Sequence, residues 1–151
     1  MTADKELASF IGKYSPEVGA VAKAALVKMR KRLPGAVELV WDNYNALAIA
    51  FGSSEKLADV IFSIALYPRW VSLFFKYGAT LADPEKLLQG SGNAMRHLVL
   101  ESAATLDRLA VRKLMDQAQE SASNPIDPRG KRRIVIKSIS AKQRRRRPAH
   151  P

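Results

Sequence analysis

The densest run of reactive side chains is Leu88–His97, where Gly90-Ser91-Gly92 precedes Arg96 and His97. Backbone N–H groups of such a glycine-rich turn can cradle an anion, and a guanidinium adds a fork of donors. The spacing matches neither the P-loop nor the dinucleotide fingerprint, which needs a strand before the glycines and a helix after them. The same residues also have a structural use, with Gly90 ending a helix and Gly92 permitting a turn. If Arg96 begins a regular strand, Arg96 and His97 point to opposite sides. The anion site then belongs to Gly90, Ser91, Gly92 and Arg96, and His97 to a sheet face. Tyr44, with Trp41 and Trp70, is the aromatic candidate for a pocket rim.

Catalytic chemistry finds little to build on. His97 and His150 are the only histidines, and no G-x-S-x-G elbow accompanies His97 to make a triad. With no cysteine, thiolate nucleophiles, thiolate-bound zinc and iron–sulfur clusters are excluded. The acidic residues are scattered among bases rather than grouped at metal-ligand spacing. The expectation is a non-enzyme with no catalytic residue, metal ligand or cofactor.

Charge is unevenly divided. From Ser121 onward ten Lys/Arg face Asp127 alone, so nearly all of the net +11 lies in the last fifth of the chain. Arg132, Arg133, Arg144, Arg145, Arg146 and Arg147 are therefore the candidate phosphate contacts. No aromatic residue stands among them to stack on bases, so such binding would be non-specific. A second basic group, Lys28, Arg30, Lys31 and Arg32, falls in the last turn of a helix, where cations already suit the macrodipole.

These residues need a scaffold. Ala3–Gly12 places Leu7, Phe10 and Ile11 on one face of a short helix. Ser15 caps a second, Pro16 opens it, and Val18, Ala22, Ala25, Met29 and Leu33 form its apolar stripe up to Pro34-Gly35. The period then changes to two, predicting strands at Val37–Asp42, Ala46–Gly52, Asp59–Tyr67, Trp70–Tyr77 and Arg96–Glu101. Short connections make the first four antiparallel neighbours. Asp83, Pro84 and Gly90 bound a predicted small helix at Leu81–Gly90. Thr105–Glu120 is predicted as an amphipathic helix with Leu106, Leu109, Ala110, Leu114 and Ala118 inward. Ser121–Gly130 reads as a linker, Ile134–Ile139 permits one short strand, and Gln143–Pro151 is expected to be disordered.

The fold class is therefore α+β: a twisted antiparallel sheet of about five strands with helices packed on one face, a two-layer sandwich. Residues 1–120 form the domain, and 121–151 a linker and basic, flexible tail. The sheet face opposite the helices would carry Ala46, Ala48, Ala50, Ser63, Ala65, Ser72 and His97, small enough to receive a ligand, the tail strand or a second subunit, or equally to be covered by loops.

Three segments, Val40–Gly52, Ala65–Phe75 and Asp83–Leu100, resemble the YdhG-like domain family of bacteria, a family of unknown function. The Asp83-Pro84…Gly90-Ser91-Gly92…Arg96-His97 stretch is the most specific part, and the resemblance covers most of Leu7–Ala118. It implies a small α+β sandwich. For some relatives it also implies iron delivery through a likeness to frataxin, a role that needs an acidic ridge this chain lacks. The expected function is a binding or interaction module for a small anion or a protein partner, with non-specific nucleic-acid association through the tail as the alternative. A homodimer fits the small face equally well. Neither a signal peptide nor a membrane-length apolar run is evident, so the expected location is the cytoplasm and no membrane partner is expected.

Overall fold

The computed structural model describes residues 2–149. Its element order is α1 (Ala3–Ile11), α2 (Pro16–Arg32), β1 (Val37–Asp42), β2 (Leu47–Gly52), β3 (Val60–Leu66), β4 (Val71–Phe75), β5 (Arg96–Leu100), α3 (Leu109–Ser121) and β6 (Arg133–Ile139). The strands form one sheet in the order β5-β4-β3-β2-β1-β6. Every pairing is antiparallel except that of β6, which runs parallel to β1. The sheet thus has six strands, one more than the periodicity before Ser121 supplies. No helix is long and apolar enough to cross a membrane among the described residues.

Local chemistry accounts for the helix starts. Thr2 and Ser15 accept hydrogen bonds from Lys5 N and Val18 N, and Pro16 opens α2. The expected stripe of α2, Val18 through Leu33, is wholly buried. It packs on the bulky sheet face formed by Leu47, Ile49 and Phe51, Phe62, Ile64 and Leu66, and Leu73 and Phe75. Phe62 and Phe75, paired across β3 and β4, meet edge to face at 5.6 Å.

Two predicted helices differ from those observed. Leu81–Gly90 makes only a single turn. Lys86 is left-handed (φ 55°), and the Asp83 carboxylate accepts from Leu87 N at 3.0 Å and Leu88 N at 2.8 Å. That turn lays Leu87 and Leu88 on the core and brings Gln89 into an antiparallel bridge with His97. At the third helix, Ser102 caps a 3-10 turn over Ala103–Asp107, ahead of the predicted start at Thr105. Extended backbone at Arg108 then restarts the chain as α3. The restart turns Leu109 outward and Val111 and Met115 inward beside Leu114 and Ala118.

Tyr14 ties α2's approach to the sheet. Its hydroxyl donates to Leu66 O and accepts from Leu47 N, both at 3.0 Å, joining the ends of β2 and β3. Burial pushes this phenol up to about 12, against the pull of the Arg146 charge and the Leu47 hydrogen bond. The raised value makes the protonated ring the folded form. Its stabilisation is fully present below about pH 10 and is lost as pH rises toward 12. Spectrophotometric titration should therefore show a latest tyrosinate, beyond the burial-raised Tyr67, that is missing from Tyr14→Phe; a Tyr14→Phe titration curve identical to that of the parent chain would contradict the assignment.

Candidate functional site

Period-two alternation puts Glu38 and Asp42 on the helix-covered face of β1, and both are fully buried. Burying a carboxylate costs several kcal/mol unless it is paired and hydrogen-bonded. Each has two cations, one from either end of the chain. Glu38 takes a two-pronged contact from Arg30 at 2.8 and 2.9 Å and a further one from Arg132 at 3.1 Å. Asp42 binds Lys13 at 2.7 Å and Arg146 at 2.9 Å. Arg146 is itself buried, lies over the Tyr14 ring and also donates to Asn43 O.

Most of the candidate phosphate contacts therefore have internal partners. Besides Arg132 and Arg146, Arg133 pairs with Glu55 at 3.0 Å, and Arg147 donates to the Lys13 and Gly12 carbonyls. Arg144 and Arg145 remain exposed and free of ion pairs among the described residues. The short strand allowed at Ile134–Ile139 is β6, and the described part of Gln143–Pro151, the segment expected to be disordered, lies along the β1–β2 turn, where Arg144 N donates to Tyr44 O. The reason is electrostatic: the buried carboxylates require cations that the first 120 residues supply only in part. His150 and Pro151, the end of that expected disorder, lie outside the described residues. The basic last turn of α2 is equally engaged, with Lys28 on Asp107 at 2.6 Å and Arg32 on Leu106 O at 3.0 Å.

The Gly90–His97 loop closes on itself. Arg96 Nη1 donates to Gly92 O at 2.7 Å and Met95 O at 2.8 Å, and the Arg96 stem lies against Gly78 and Gly90. Gly90 adopts φ +125°, a conformation that L side chains rarely take. Ser91 and Gly92 are exposed at its tip. Arg96 shares the helix-covered side with its partner Phe75, whereas His97 lies opposite, tilted against Phe74 with ring centroids 5.0 Å apart. The loop thus does not gather Arg96 and His97 around one ligand.

What the uncovered face does present is a groove of about 570 Å³. Its floor is Ala48, Ser63 and Ala65; Tyr67, Phe74 and Met95 line it on one side, and Asn43, Tyr44, Asn45 and Ser140 on the other. The expected rim residue Tyr44 is therefore placed, together with Met95 from the glycine loop. Among the described residues no carboxylate lines this groove. Beside it Trp41 and Val135 roof a small cluster over Leu39 and Ala50. A second cavity of about 420 Å³ lies between β3 and the end of α3, bounded by Asp59, Tyr77 and Asn124. The Asp59 carboxyl there is held below its usual range by hydrogen bonds from Ser54 and then Asn124. No group of three or more His, Asp or Glu able to hold a metal occurs among the described residues. No family model, curated protein or solved structure matches the chain.

The buried carboxylates of β1 escaped sequence reading. Their signal was present in the alternation itself, which puts Glu38 and Asp42 on the same face as Val40.

Proposed function

We propose that this chain is a non-enzymatic binding module whose binding surface is the open face of the sheet. One observation carries the reading: a groove that the described residues line with neutral side chains and aromatic walls, on the sheet face opposite the helices. Its small floor lets a flat group approach the backbone, while Tyr44, Tyr67 and Phe74 offer ring contacts. An oxyanion at the glycine loop is less well supported, because the Arg96 fork is engaged by its own loop's carbonyls. A cytoplasmic location and kinship with the YdhG-like family belong to the same proposal. The residue resemblance supports that kinship.

Neutral aromatic fragments such as indole are the direct probe. Indole at millimolar concentration should shift the backbone amides of Ala48, Ser63, Ala65 and Phe74. Ala48→Leu, which fills the floor, should abolish those shifts. Shifts confined to the Asp59–Asn124 cavity, or unaltered by Ala48→Leu, would overturn the proposal.

A further inference from the structure

We infer that the groove takes the bases of a single-stranded nucleic acid, with the phosphates running along the cationic side formed by the C-terminal segment. The inference rests on the open-face reading above and names its ligand. Charge complementarity selects the occupant. Arg144 lies over the Tyr44 ring at 5.6 Å and its backbone N–H binds Tyr44 O. Its neighbours Lys142 and Arg145 are exposed. Across the sheet, Arg69 is exposed beside Trp70, whose ring stacks on Tyr67 at 4.8 Å and 22°. Neutral hydrogen-bonding groups, Asn43, Asn45, Ser63 and Ser140, line the space between.

A polyanion with flat, polar-edged bases meets each of these features: rings for stacking, amides and hydroxyls for base edges, cations for phosphates. A second copy of this chain would instead bring another +11 against the same rim. Duplex nucleic acid is disfavoured because its bases are already stacked and cannot reach the floor of the groove. The aromatic residues missing from the tail sequence are thus provided by the sheet beside which the tail lies.

Anisotropy of a fluorescein-labelled oligouridylate of about 15 nucleotides, against the full chain, tests this. The single strand should bind at least about 10-fold more tightly than a duplex of the same length. Tyr44→Ala should weaken binding about 5-fold or more while Tyr44→Phe retains it, as loss and retention of a stacking ring require. Arg144→Gln should flatten the salt dependence by about 0.7 in log K against log[salt]. Equal affinity for duplex, or no effect of Tyr44→Ala, would overturn the inference in favour of charge-only binding. Uridine monophosphate saturating the groove amides at the same nucleotide concentration would overturn it in favour of a small-molecule pocket. If the oligonucleotide fails to bind while indole still shifts Ala48 and Ser63, this inference falls and the open-face reading stands. If neither binds, both fall.

Discussion

A chain ending at Gly130 is expected to lose on the order of 5 kcal/mol or more of folding stability, against the 5–15 kcal/mol typical of a whole domain. The apolar stripes of the first 120 residues are complete and by themselves predict an autonomous domain. The β1 carboxylates argue otherwise. Without the tail, Glu38 keeps Arg30 and loses Arg132, while Asp42 keeps the half-exposed Lys13 and loses the buried Arg146. Removing a partner from a buried ion pair costs about 3–5 kcal/mol, because the remaining charge stays desolvated. The truncation also strips β6 from β1, leaving β1 paired with β2 alone, and uncovers core against which Ile134 and Ile136 pack. Guanidinium denaturation followed by circular dichroism measures the loss. Arg146→Met in the full chain separates charge from strand, and should cost about 3 kcal/mol while leaving β6 paired. A truncated chain within about 1 kcal/mol of the full one would mean that the tail is not structural, since a broken buried pair alone should cost more.

The legible part of this fold is the part governed by local periodicity. The start of α2 follows from Ser15 and Pro16, and the stripes of α1 and α2 and the five strands before α3 follow from residue spacing, since each stripe or strand repeats its signal over several turns or pleats. The misreadings sit where one residue changes the phase. At β3 the register shift between Phe51 and Gly52 pairs Gly52 with Val60. It sends Val60 to the open-face cluster and Ile61 to the main core, the reverse of strict alternation. At Arg108 a single extended residue resets the helical phase. The tail was illegible for a different reason. Its arginines resemble any solvated cationic run, and the carboxylates that Arg132 and Arg146 meet lie 94 and 104 positions away in a strand whose acidity is hidden by its pairing. The candidate site was half legible: Tyr44 was identified, but the groove depends on Phe74, Met95 and Ser140 converging from separate segments.

Leu73→Ala should cost about 2–5 kcal/mol, and Leu109→Ala less than about 0.5. Leu73 lies in the middle of β4, paired with Ile64 on one side and Leu98 on the other, and is completely buried. Truncating it removes apolar contact and leaves a cavity between the sheet and its helices. The surrounding pleat cannot collapse to fill that space without moving two paired strands. Leu109 is the contrasting case, an inward residue by helical spacing from Thr105 but 65% exposed once α3 restarts after Arg108. Its side chain has little burial to lose, whereas Val111, one position past Ala110, is fully enclosed. Urea midpoints at constant m-value for the two variants, with Val111→Ala as a third, decide the phase of α3. A Leu109→Ala cost above that of Val111→Ala would restore the continuous helix that the sequence suggests and remove the break at Arg108.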